Sequence, residues 1–360
     1  MQPERRLTRY QHNIISGLDR ALTAGVSPEA PADLDDLRLI VFSDHHRTDR
    51  SRTDDFKICE PAYAAALGYY LEQGHTLLLL GDVEELWTTE PDQVLSAYPE
   101  MLRLEGRFLE RDRLWRLWGN HDDLWQDPHV VAHYLGPIYG DRLRMVEGLR
   151  VPVCRGERVL GTLFFTHGHQ GEFWSDRHGR WGQWGSQKFL RPWKRLTRSS
   201  SVTPATDHRL RKRHNIAMYL WALRHPGTVL VAGHTHKPVF LTRENTDRLE
   251  EQLEGQRGVP GTTRHELAEA HARLEWIRAE RRQQCMDVEE DLQPLSPCYF
   301  NTGCCSFRDG DVTGLEISGG KIRLVRWPDD HRLPRPKTLV EASLEDVLRD
   351  VAATDRTPIT

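Results

Sequence analysis

The chain has 360 residues, 28% of them charged and 38% hydrophobic, with a formal net charge of −4. That balance is ordinary for a soluble globular protein and excludes a global electrostatic pull toward nucleic acid or an anionic membrane. No apolar run approaches the ~20 residues that cross a bilayer, and the opening Met-Gln-Pro-Glu-Arg-Arg lacks a secretory apolar stretch, so the expected compartment is the cytoplasm.

Leu7, Tyr10, Ile14, Leu18 and Leu22 recur at steps of three or four and predict an amphipathic helix over 3–25, which with its linker makes a unit of 1–30. A core follows over 31–243. Short apolar runs alternate there with helix-length segments: Leu37-Arg-Leu-Ile-Val-Phe-Ser, Thr76-Leu-Leu-Leu-Leu and Leu114-Trp-Arg-Leu-Trp. This alternation predicts βαβ units and an α/β fold. Residues 244–291 are highly charged and are expected to form an inserted helical arm, with Thr263 and Glu266 as a capping box. Residues 292–330 return to the core with Tyr299-Phe-Asn-Thr-Gly, and a hairpin turns at Gly319-Gly320. The tail, 331–360, is Pro-rich and predicts one short helix. The six cysteines, Cys59, Cys154, Cys285, Cys298, Cys304 and Cys305, have no C-x-x-C spacing and are expected to be unpaired.

Polar residues sit just past the ends of these three runs and of two more, Leu160-Gly-Thr-Leu-Phe-Phe and Thr228-Val-Leu-Val-Ala: Asp44-His45-His46, Gly81-Asp82, Gly119-Asn120-His121-Asp122, His167, and Gly233-His234-Thr235-His236. Asp44, Asp82 and Asn120 are evenly spaced by 38 residues, about one βαβ unit. In open α/β sheets this strand edge is where ligands bind. The side chains are oxygen and imidazole donors without thiolate, a set suited to manganese, iron or zinc. A lone histidine at a turn is more often a solvated or capping residue; an ordered set at five strand ends is not.

The ordered series D-x-H, GD, GNHD, His and GHTH resembles the signature of calcineurin-like metallophosphoesterases. The resemblance covers roughly residues 37–240 and the Tyr299-Phe-Asn-Thr-Gly strand. It implies a four-layer α/β/β/α sandwich of two mixed sheets flanked by helices, and two divalent ions, manganese first, iron or zinc as alternatives. Asp44, His46 and His236 would hold one ion, Asn120, His167 and His234 the other, and Asp82 would bridge them. His121 would be catalytic, paired with Asp122 or another carboxylate. The implied activity is hydrolysis of a phosphodiester or pyrophosphate by metal-activated hydroxide. Within the family, Gly81-Asp-Val-Glu-Glu-Leu-Trp87 and Arg191-Pro-Trp193 are similar to the UDP-2,3-diacylglucosamine diphosphatase group. That group usually carries Arg where this chain has His121, so its substrate is not carried over.

Residues 177–213 hold eleven Lys or Arg against one acid, Asp207, with Trp181, Trp184 and Trp193 interleaved. One reading is a helical cap over 170–215 that grips a nucleotide-linked or lipid-linked phosphate, with His169, Gln170, Arg177 and Arg191 as substrate contacts. The other is a solvated helical face that docks its Trp residues on the core. Nucleic acid as substrate, which would make the protein a metal-dependent nuclease, is the alternative enzymatic reading. A non-catalytic scaffold that binds protein through the 244–291 arm is the alternative of another class. Peripheral contact with a membrane and a homodimer through that arm are also open.

Overall fold

A computed structural model of the chain describes residues 7–172, 204–205, 207–240, 298–328 and 333–353. Its strands are β1 (Ala32–Asp33), β2 (Leu39–Phe42), β3 (Thr76–Leu80), β4 (Leu114–Leu117), β5 (Met145–Val146), β6 (Gly148–Arg155) and β7 (Arg158–Thr166). They continue with β8 (Thr228–Ala232), β9 (Val239–Phe240), β10 (Tyr299–Asn301), β11 (Val312–Ser318), β12 (Lys321–Trp327) and β13 (Lys337–Ser343). The α-helices are α1 (Arg9–Ala24), α2 (Phe56–Glu72), α3 (Pro91–Ala97), α4 (Pro99–Leu109), α5 (Pro128–Tyr134), α6 (Gly136–Tyr139), α7 (His208–Leu223) and α8 (Leu344–Ala353).

Seven strands form one sheet in the order β13-β12-β11-β2-β3-β4-β5, and six form the other, β1-β6-β7-β8-β10-β9. Both are mixed. β2 to β5 run parallel while β11 to β13 join antiparallel. In the smaller sheet β7, β8 and β10 are parallel, and β6 and β9 flank them antiparallel. α2 and α4 pack on the larger sheet and α1 and α7 on the smaller one, while α8 touches strands of both. This is the expected α/β/β/α sandwich.

The strand sequences explain the layering. β2 and β3 are buried on both faces, so they read as unbroken apolar runs. Their residues still alternate between two cores. Leu39, Val41, Leu78 and Leu80 join the core shared with the smaller sheet, which includes Leu163, Phe165 and Val231. Ile40, Phe42, Leu77 and Leu79 join the core under α2 and α4, with Tyr63, Leu67, Leu102 and Phe108. A one-residue slip in either strand would exchange the two sets.

The N-terminal helix starts at Arg9, where Thr8 caps it in a reciprocal box with Gln11. Ile14, Leu18 and Ala21 on its buried face are part of the main core. Gly319 and Gly320 both have positive φ, 57° and 69°, and close the β11–β12 hairpin in the geometry that matches strand twist. The C-terminal segment departs from expectation: besides α8 it supplies the edge strand β13, paired with β12. The five cysteines among the described residues are all free. Among these residues, no helix is long and apolar enough to cross a membrane. The 244–291 arm, its Thr263–Glu266 box and most of the 170–215 cap lie outside the described residues.

Candidate metal centre

The five polar strand ends converge at one edge of the sandwich. Asp44 and His46 follow β2, Asp82 follows β3, Asn120 follows β4, His167 follows β7, and His234 and His236 follow β8. Seven described non-glycine residues have positive φ, and five of them are in this set: Asp44 (56°), His46 (51°), Asp82 (51°), His234 (69°) and His236 (57°). A left-handed backbone costs of order 1–3 kcal/mol per residue and persists only where its surroundings over-determine it. Those surroundings are backbone hydrogen bonds between neighbouring turns: Asp44 N to Gly81 O at 3.2 Å, His46 N to Asp82 O at 3.0 Å, and Gly233 N to His167 O at 2.9 Å. Glycine is required where the turns touch. A Cβ on Gly119 would lie 2.7 Å from Asp82 N, and one on Gly233 would lie 2.6 Å from Asp44 Oδ2, which is the point where the two sheets meet.

The donor atoms gather into groups that could each hold a metal ion. In Asp44, His46 and His236, and again in Asp82, His167 and His234, the ligand atoms all lie within 4.8 Å of one another. His236 Nε2 is 3.3 Å from Asp44 Oδ1 and 3.0 Å from His46 Nε2, while His167 Nε2 is 3.2 Å from Asp82 Oδ2. Asp82 Oδ2 also lies 3.8 Å from His46 Nε2, so this carboxylate stands between the two groups. Asn120 Oδ1 and His167 Nε2 are buried without a hydrogen-bond partner. Orphaned buried donors and acceptors are costly, and these two are on residues expected to be ligands. The residues therefore fit a cation.

The non-ligating nitrogens are held as a metal site requires. His167 Nδ1 donates to Leu80 O at 2.7 Å, tying the two sheets together at this edge and leaving Nε2 as the nitrogen that could ligate an ion. His46 Nδ1 lies 3.2 Å from Glu85 Oε2, and His121 Nδ1 lies 2.5 Å from the same oxygen. Trp87 stacks on His121 with ring centroids 3.9 Å apart. Burial favours a neutral Glu85, but His121 and His46 outweigh it and hold its pKa down to about 2. Burial likewise disfavours a charged His121, yet Glu85 and Asp82 push its pKa up to about 9.

The sequence left Asp122 or another carboxylate as the partner of His121. Asp122 does not pair with His121. Its fully buried carboxylate accepts the N–H groups of Gly119 (2.6 Å), Val83 (2.8 Å) and Asp82 (3.2 Å), and so fastens the turns after β3 and β4 together. Glu85 is the carboxylate on His121. It was visible in the Glu85/Trp87 run, but its hold on two histidines was not.

Behind the ligands, the same turns are anchored by two buried ion pairs, Arg47–Glu105 at 2.5 Å and Arg116–Glu84 at 2.6 Å. The hydroxyls of Tyr63 and Tyr139 also donate to Glu105, and Trp125 Nε1 donates to Glu84. Replacing Glu105 by glutamine would leave Arg47 buried without its counter-charge. Urea unfolding should then show a loss of about 3–5 kcal/mol. A loss below about 1 kcal/mol, the worth of a surface pair, would mean that this contact does not hold the turns.

The loop after His167 holds two expected substrate contacts, and both are buried. His169 lies with its ring 5.2 Å from those of His167 and Trp118. Gln170 turns its side-chain oxygen back to accept Gly168 N at 3.0 Å, which closes the loop. Arg177 and Arg191 lie outside the described residues. The returning strand β10 buttresses the centre: Asn301 Nδ2 donates to Gly233 O at 2.5 Å, and Thr302 Oγ1 lies 2.6 Å from Ser43 Oγ, which hydrogen-bonds Asp44. Fold and site together define a mixed α/β sandwich with a buried His/Asp centre that could hold a metal ion. No protein-family model matches the chain, and no curated protein matches it.

Proposed function

We propose that the protein is a dinuclear-metal phosphoesterase that hydrolyses a phosphodiester or pyrophosphate bond in a nucleotide-linked or lipid-linked substrate. On this reading it is a calcineurin-like metallophosphoesterase, closest in motif to the UDP-2,3-diacylglucosamine diphosphatase group. The observation that carries it is Asp82, whose carboxylate lies between the Asp44/His46/His236 group and the His167/His234 group. A carboxylate so placed suits two ions sharing one ligand.

When bound, two divalent ions supply Lewis acidity to phosphoryl oxygens and lower the pKa of the attacking water. Asp44, His46 and His236 would hold one, and Asn120, His167 and His234 the other. His121 touches this ensemble from the side, forming a third group with His46 and Asp82. Glu85 holds its Nδ1 and Trp87 fixes its ring plane, so Nε2 is the nitrogen that gives a proton to the leaving oxygen. In-line displacement at phosphorus needs positioning and charge neutralisation more than covalent catalysis, and no side-chain nucleophile is invoked.

The purified chain is expected to bind two ions and to lose activity with a chelator, regaining it with Mn²⁺. The assay set is bis-p-nitrophenyl phosphate, p-nitrophenyl phosphate, UDP-sugars and oligonucleotides, each with Mn²⁺, Zn²⁺, Fe²⁺ or Mg²⁺. Full activity in a chelator-treated, metal-free preparation would refute the reading. Cleavage of oligonucleotides alone would favour the nuclease, and no hydrolysis of any member in the presence of two bound ions would favour the scaffold.

A further inference from the structure

His46 and His167, two of the histidines expected to hold ions, are each steadied through the second ring nitrogen, by Glu85 and by Leu80 O. His234 has a counterpart that belongs to no strand-end motif. Glu172 lies on the segment that follows His167, and its Oε1 lies 3.1 Å from His234 Nε2 and 2.9 Å from the Tyr10 hydroxyl. Tyr10 comes from α1, and its oxygen is also 2.9 Å from Nδ1 of His214 on α7. With Glu172 ionised, one arrangement satisfies these contacts. Tyr10 O–H and His234 Nε2–H donate to Glu172, His214 Nδ1–H donates to Tyr10, and His234 Nδ1 keeps its lone pair.

The loop is closely clasped. A Cβ on Gly17 of α1 would lie 2.5 Å from the Gln170 carbonyl carbon, and one on Gly171 would lie 2.7 Å from Ile14 N. Trp221 of α7 donates its Nε1–H to Asp19 of α1 at 2.7 Å, so the helix that carries Tyr10 is tied to the helix that carries His214.

We infer that Glu172, locked by Tyr10 and His214, is a positioning residue that orients His234 so that Nδ1 is offered to the ion shared with Asp82 and His167. The N-terminal helix is thereby part of the metal centre. The inference rests on the dinuclear reading, and the test separates the two. Full-chain wild type, Glu172→Gln and Tyr10→Phe are titrated with Mn²⁺ by calorimetry, with electron paramagnetic resonance to detect a coupled pair of ions and thermal unfolding to confirm folding. Wild type should bind two ions and show the coupled signal. Glu172→Gln should keep one ion at near wild-type affinity, bind the other roughly 10–100-fold more weakly, and lose the coupled signal at equal Mn²⁺. Tyr10→Phe, which leaves Glu172 in place, should weaken the same ion by roughly 2–10-fold, the worth of one hydrogen bond.

Two ions bound at wild-type affinity by both variants overturns the inference and leaves the dinuclear reading standing. Equal weakening of both ions in both variants marks a general structural role and also overturns it. So does a third equivalent present in wild type and lost only in Glu172→Gln, since Glu172, His214 and His234 would then be ligands of their own ion. A wild type that binds fewer than two ions overturns the dinuclear reading itself.

Discussion

Asp82→Ala protein is expected to bind neither ion tightly and to show no measurable phosphoesterase turnover. The carboxylate is buried between both ligand groups, so its loss removes an anionic donor from each. Changes to residues that merely orient ligands cost 10–100-fold in metal affinity, and loss of a shared ligand should cost more than roughly 100-fold at each ion. Folding should survive. Asp82 makes one backbone-directed contact through its side chain, accepting His121 N at 2.8 Å, and its removal relieves repulsion with the neighbouring Asp44. The measurable consequence is in linkage. Ions that bind only the folded state stabilise it by about 2.7 kcal/mol at a hundred times the dissociation constant, so wild type should melt later with Mn²⁺ and the variant should not. An Asp82→Ala protein that kept two ions and its Mn²⁺-dependent rise in melting temperature would remove the basis for a bridged centre.

His121→Ala is expected to separate chemistry from metal binding. The imidazole is held by Glu85 and stacked by Trp87, and although it lies beside His46 and Asp82 it is not one of the seven residues expected to hold the ions. Its loss should lower turnover by roughly 10²–10⁴, the range for a positioned general acid, with two ions still bound. The effect should depend on the leaving group. An alkyl phosphodiester, whose departing oxygen needs a proton, should suffer the full loss, while p-nitrophenolate leaves unaided and should suffer least. Equal losses on the two substrates would place His121 in binding or structure instead of proton transfer.

The strand-end residues were legible in the sequence because each signal is local: a short apolar run, then a turn residue that is glycine at three of the five ends, then a donor. The same is true of the hairpin at Gly319-Gly320 and of the helix started by Thr8 and Gln11. What was not legible depends on partners far away in the chain. β13 joins the larger sheet through pairing with β12, and Lys337-Thr-Leu-Val-Glu-Ala-Ser carries too little alternation to stand out after a Pro-rich stretch. Asp122 looked like a partner for its neighbour His121, but the tight turn after β4 directs its carboxylate at three backbone N–H groups. Glu84 and Glu85 are adjacent and chemically alike, yet a strand-like alternation sends one to Arg116 in the core and the other to the histidines. Tyr10 and Glu172 are 162 residues apart, and nothing near either one announces the contact.

The candidate ligands are divided between the sheets: Asp44, His46, Asp82 and Asn120 stand on one, His167, His234 and His236 on the other. The half-site on the first sheet is complete early in synthesis, long before β8 emerges, since chains grow from the N-terminus. Neither of the two proposed ions would have its full set of donors until the sheets have docked face to face. A growing chain would therefore offer scattered acids and imidazoles that compete poorly for scarce metal, and tight uptake would wait on contacts such as His46 with His236, 190 residues apart. On the dinuclear reading, metal loading would be a checkpoint on maturation, one that a half-made or misdocked chain would not pass.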